Sequence, residues 1–82
     1  MILCGVYDKK ADFYNYFSVF NNRAEAVRSF TLACRDKDSM LSKFPEDYDL
    51  YYLADVDERS GYVDYKATSL LMSAADVVEK QQ

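Results

Sequence analysis

Histidine does not occur in this 82-residue chain. That removes the commonest general base and the usual metal ligand, and with them every Ser/His/Asp or Cys/His nucleophile. Glycine occurs twice, at Gly5 and Gly61, too far apart for a phosphate-cradling loop. There is one proline and no Pro/Gly-rich linker. Two cysteines, Cys4 and Cys34, make neither a zinc spacing nor a disulfide framework, so buried structural thiols are expected. No segment reaches the ~20 apolar residues of a membrane span, and MILCGVYDKK lacks the basic start of a signal peptide. A soluble protein of the cytoplasm is the expectation, with no membrane partner, no metal and no cofactor.

What is abundant is apolar and aromatic. Half of the residues are hydrophobic and 16% are aromatic, eight of them tyrosine. The composition is that of a folded chain, and its length allows a single domain over residues 1–82. A chain this short buries only about 60% of its unfolded surface, so its core is thin and a homodimer is expected. The net charge of −4 is uneven: residues 1–35 carry +2 and residues 36–82 carry −6. General binding to phosphate backbones is therefore disfavoured, while a local basic patch in the first half stays open.

The pattern of elements reads β-β-α-β-β. ILCGVY at 2–7 is a buried strand, followed by a turn at Asp8–Asp12. FYNYFSVF at 13–20 suits a second strand. Strict alternation would place Phe13, Asn15, Phe17 and Val19 on one of its faces and Tyr14, Tyr16, Ser18 and Phe20 on the other. Asn22 followed by Glu25 resembles a capping box, and Ala26, Val27, Phe30, Ala33 and Cys34 recur at helical spacing. Residues 36–47 form a connection, anchored through Met40, Leu41 and Phe44, with Pro45 ending any helical turn. A strand near 48–56, a turn at Asp57–Gly61 and a short strand near 62–65 follow. Alternation in the first of these puts Leu50, Tyr52, Ala54 and Val56 against Tyr51, Leu53 and Asp55. The tail is ambiguous, with Ser73 a possible cap for a short helix over Ala74–Lys80. The fold class is α+β: an antiparallel sheet of about four strands, one amphipathic helix packed on one face, and a short C-terminal helix or tail.

DVDERSG invites comparison with a calcium loop. Starting at Asp55 places Ser60 where the invariant glycine belongs and Lys66 where the bidentate glutamate belongs. Starting at Val56 aligns Gly61 but puts an apolar residue first and Ala67 last. Both registers fail, and the stretch reads as a solvated turn. The tyrosines could stack bases of single-stranded nucleic acid, with Tyr14, Tyr16, Tyr51 and Phe20 as candidates. Their neighbours in sequence, Asp47, Asp49, Asp55 and Asp57, repel phosphate. Core packing plus a dimer or partner face is the competing reading. Arg23, Arg28 and Arg35 on the helix are either a solvated face or phosphate contacts. Nothing pairs carboxylates in a recognisable catalytic setting, so the chain is read as nonenzymatic.

Several short motifs occur in a telling order. Tyr7-Asp8 closes the first strand, and Ala26-Val27-Arg28-Ser29-Phe30 lies on the helix. Pro45-Glu46-Asp47 leads into a strand with Leu50, Tyr51 and Leu53, then a turn with Asp57 and Gly61. Over about residues 1–65 this resembles the small nonstructural protein of gokushovirus-type microviruses, which are single-stranded DNA phages. One departure is Ala54-Asp55-Val56-Asp57, where relatives often carry Gly-Glu-Tyr-Asp. The resemblance implies a nonenzymatic protein made in the host cytoplasm. It would act in viral DNA replication, in the switch to single-stranded genome synthesis, or in packaging. Its implied partners are single-stranded DNA or phage and host replication proteins. If DNA is contacted, Arg23, Arg28 and Arg35 are the candidates for phosphate and Tyr14, Tyr16 and Tyr51 for bases. The alternative is a homodimeric protein-interaction module that binds a host or phage protein without touching DNA.

Overall fold

The computed structural model describes residues 1–79. Strands β1 (Ile2–Asp8) and β2 (Phe13–Phe20) form a hairpin, followed by helix α1 (Arg23–Arg35) and one turn of helix, α2 (Met40–Lys43). A 3-10 turn, Pro45–Asp47, leads into β3 (Tyr48–Val56); β4 (Val63–Ser73) and α3 (Ala74–Glu79) complete the chain. The sheet is antiparallel throughout, in the order β2-β1-β3-β4. The α+β architecture expected from the sequence is the observed one.

Local chemistry accounts for the boundaries. Asn22 sits in extended backbone, and its side chain accepts a hydrogen bond from the Glu25 N–H at 2.9 Å, which starts α1. Ser39 starts α2 by accepting from the Ser42 N–H at 3.2 Å. Its hydroxyl also donates to the Ala33 carbonyl at 2.6 Å, tying α2 to the end of α1. Pro45 opens the 3-10 turn, where its missing N–H is not needed. In the β1–β2 turn the Asp8 carboxylate accepts from the N–H groups of Lys10 and Ala11. Asp57 does the same for Arg59 and Ser60 in the second hairpin, where Gly61 takes φ 78°. Those two hydrogen bonds hold the Asp57 carboxyl below the usual carboxylate range.

The core lies between the sheet and α1. Ala26, Phe30 and Cys34 of the helix meet Cys4, Val6, Tyr48 and Leu50 of the sheet, with Leu41, Ala74 and Val77 closing the sides. Burying Phe30 contributes about 1.5–3 kcal/mol. Of the three expected anchors of the connection, only Leu41 is buried; Met40 and Phe44 are 45% and 52% exposed.

Three expectations change. The last strand runs from Val63 to Ser73, not only to residue 65, so most of the ambiguous tail is strand. Residues 69–73 extend it because β3 offers a free edge along Asp49–Tyr52. A short helix does follow at Ala74–Glu79, and Lys80 lies outside the described residues. Alternation in β2 and β3 also fails, because bulges interrupt both strands. In β2 the register slips opposite Gly5, and Tyr16 takes φ 53°. Asn15, Ser18 and Phe20 pair with Val6, Cys4 and Ile2 on the inner face, beneath the helix; Tyr14 and Val19 pair with Tyr7 and Leu3 on the open face. In β3 the slip between Leu3 and Cys4 puts Tyr52 and Asp55 on the inner side, although they are three residues apart.

Candidate nucleic-acid interface and the open sheet face

The six candidate residues do not converge on one surface. On the open face, Tyr14 leaves β2 and crosses toward β3, where its ring lies 6.0 Å from that of Tyr51. Tyr7 packs between them, 5.0 Å from Tyr14 and 6.4 Å from Tyr51, and Phe17 lies 6.2 Å from Tyr14. The Tyr7–Tyr51 and Tyr14–Tyr51 pairs meet edge to face, which satisfies the ring quadrupoles within the cluster. Burial beside Tyr51 and Tyr65 raises the Tyr14 phenol above its ordinary value. The Tyr7 phenol is also raised, because its hydroxyl donates to the Asp12 carboxylate.

Tyr16 is on the other side. Its left-handed backbone turns it toward the helices, where it lines an apolar groove of about 410 Å³ with Ala33, Asp38, Ser39, Met40 and Leu41. A stacking platform of Tyr14, Tyr16 and Tyr51 is therefore split by the sheet. Phe20, the fourth platform candidate, packs against the core under α1. The physical cause is the bulge, which inserts a residue and reverses the direction of every side chain beyond it.

The arginines divide as well. Arg23, in the first turn of α1, overhangs the sheet with its guanidinium 5.0 Å from the centre of the Tyr52 ring. Such a contact contributes about 0.5–1 kcal/mol at an exposed site. The Tyr52 hydroxyl donates to Asp55 at 2.6 Å, which raises its phenol. Arg23, Tyr52 and Asp55 thus form one structural cluster, made possible by the β3 bulge. Arg28 and Arg35 are exposed and seven residues apart, two helical turns along one side of α1 and roughly 10 Å from each other along the axis. Among the described residues the ion pairs are Lys9–Asp49 and Lys66–Asp64, so Arg28 and Arg35 enter none.

Sequence reasoning passed over Tyr7, Phe17 and Asp49. Tyr7 and Phe17 complete the aromatic cluster. Asp49 is 7% exposed, held by Lys9 at 3.5 Å, with its second oxygen unpartnered among the described residues. Its position between the buried residues Tyr48 and Leu50 was the available signal. Both thiols are buried and free, and burial pushes the Cys34 thiol up to about 11. Among the described residues no three His, Cys, Asp or Glu side chains gather as a metal site would need, and no helix is long and apolar enough to cross a membrane.

The fold is a small α+β module with one sheet face covered by helices and one aromatic face left uncovered. The family described as Phage ORF5 protein matches residues 1–77. The chain belongs to that family and is a phage protein. No match to it was found among curated proteins or solved structures.

Proposed function

We propose that this phage protein is a nonenzymatic factor in the viral DNA cycle, acting in replication, the switch to single-stranded genome synthesis, or packaging. It would do so by contacting single-stranded DNA, with Arg28 and Arg35 on the phosphates. The observation that carries the reading is this arginine pair, exposed on one side of α1 and outside both ion pairs. Family membership supports the phage setting, and the resemblance to microvirus nonstructural proteins supports the DNA role. Arg23 is a weaker phosphate candidate because the Tyr52 ring already engages it. Tyr14 and Tyr51 are on the far side of the sheet from α1, so one strand of DNA would not meet both sets in a single compact contact.

Fluorescence anisotropy with a labelled single-stranded oligonucleotide tests the proposal at 50 and 200 mM salt. Two phosphate contacts predict an affinity falling about sevenfold across that range, from a slope of about −0.7 per contact on single strands. Arg28→Ala with Arg35→Ala should abolish most of that salt dependence. Absence of binding at 50 mM salt, or binding indifferent to salt, refutes the phosphate contacts.

A second reading is a homodimeric protein-interaction module that binds a host or phage protein without DNA. The aromatic face, whose Lys9 and Asp49 charges are paired, favours it, since tyrosine and phenylalanine are enriched where proteins meet.

A further inference from the structure

The open face carries few charges for an acidic protein: the Lys9–Asp49 pair, and Asp12, which accepts from the Tyr7 hydroxyl. Its outer rows carry Phe17 and Val19 from β2 and Tyr65 and Leu70 from β4, which are 58%, 44%, 72% and 53% exposed. Register places these rows on one side: Val19 pairs with Leu3, Tyr65 with Ala54, and Leu70 with Tyr51. Between them lies the Tyr7–Tyr14–Tyr51 cluster. The carboxylate in register on this face, Asp49, is buried and held by Lys9. The other strand carboxylates, Asp8, Asp55 and Asp64, pair in register with inner-face positions.

We propose that the open sheet face is the seat of a second copy of this chain, the two sheets packing face to face about a twofold axis. This deepens the interaction-module reading above and rests on it. Charge argues for a second copy. Each chain carries a formal −4, so two copies repel least where they meet on a face of low net charge, and on this face the Lys9–Asp49 pair cancels and leaves Asp12 at the edge. The cation on the face, Lys9, is engaged by Asp49, which argues against a nucleic-acid strand, since that needs Lys or Arg free beside its stacking rings.

Area argues the same way. Four strands about 4.8 Å apart and about seven residues long give a footprint of roughly 450 Å² per copy before side-chain relief is counted. Two such faces bury about 1,000 Å², where specific interfaces begin. A patch of this size equals the largest apolar patch of a typical monomer, which is often a functional surface. A twofold axis makes the contact self-complementary and closed, so it ends at the dimer rather than growing into a filament. Two sheets packed this way would sit about 10 Å apart, with Phe17 and Leu70 interdigitating in the new layer.

Analytical ultracentrifugation of the full chain from 1 to about 300 µM tests the proposal, since a dimer near the lower size limit dissociates at about micromolar concentration. The wild type should shift from monomer to dimer within that range. Leu70→Lys places two like charges across the axis and should weaken the dimer at least about a hundredfold. Tyr65→Lys is a second variant on the same face, and both positions are exposed enough to leave the monomer folded, as circular dichroism would verify. Leu32→Lys, on the solvent side of α1, should leave the dimer intact. A wild type that stays monomeric throughout overturns both the inference and the homodimer reading. A dimer that survives Leu70→Lys and Tyr65→Lys, or that Leu32→Lys breaks instead, overturns this face alone. A monomer that binds a thymidine oligonucleotide and loses it on Leu70→Lys overturns the inference in favour of DNA on the face.

Discussion

Gly5→Ala is the sharpest probe of how the open face is held. Gly5 lies in the centre of β1, opposite the β2 bulge and in register with Tyr51. A methyl group added there would stand 3.0 Å from Leu53 Cδ1 and 3.3 Å from two ring carbons of Phe17. Phe17 is more than half exposed and can swing aside; Leu53 is 6% exposed and cannot move freely. Overpacking of this kind costs about 1–3 kcal/mol. The substitution also removes about 0.4–1 kcal/mol of chain entropy from the unfolded state, which opposes the loss. The net expectation is destabilisation by about 0.5–2 kcal/mol. With a urea slope near 1 kcal/mol/M, the unfolding midpoint falls by roughly 0.5–2 M. Leu53→Ala alone should cost about 2–5 kcal/mol, because it leaves a cavity under the aromatic layer. The added methyl would partly fill that cavity, so the double variant should be more stable than the two single losses sum to, by about 1 kcal/mol. Urea denaturation followed by tyrosine fluorescence measures all four corners of the cycle. If Gly5→Ala matches or exceeds the wild type, or if the coupling is zero, the contact between β1 and the bulged strands is not as described.

Asn22→Ala removes the cap that accepts from the Glu25 N–H and should cost about 1 kcal/mol, seen as a fall of roughly 4–8 °C in Tm. Asn22→Ser should restore most of it, and equal Tm values for all three would refute the cap. Cys34 should resist iodoacetamide at pH 8 until the protein unfolds, since burial holds its thiol near 11. The sign follows from a folded pKa raised above the unfolded one. The stabilisation is fully present below the unfolded value near 9 and is lost as pH rises toward about 11. A Cys34→Ala variant whose stability falls as steeply as the wild type between pH 9 and 11 would refute that linkage.

Much of this was open to reading in the amino-acid order. Asn22 and Glu25 marked the start of α1, and Ala26, Phe30 and Cys34 marked its buried stripe, because capping and helical periodicity are local properties. Asp57 and Gly61 marked the second hairpin for the same reason. The length of β4 was hidden, since LLMS becomes strand only when β3 presents its unpaired edge. The candidate site was less legible than the fold. Tyr14 and Tyr51 do meet, but Tyr16, two positions from Tyr14, does not join them.

Chain chemistry alone therefore decided the element order, the helix face, the turn residues and the absence of imidazole chemistry. These depend on neighbours within a few positions, or on which side chains exist at all. Tertiary structure decided which tyrosines share a surface, that Arg23 belongs to the Tyr52–Asp55 cluster, and that Asp49 is buried. A bulge reverses side-chain direction, and where it falls depends on how paired strands accommodate each other across the sheet. Pairing between β1, β2 and β3 set the slips at Gly5 and Leu53, and those slips part Tyr16 from Tyr14 and bring Asp55 to the side of Tyr52.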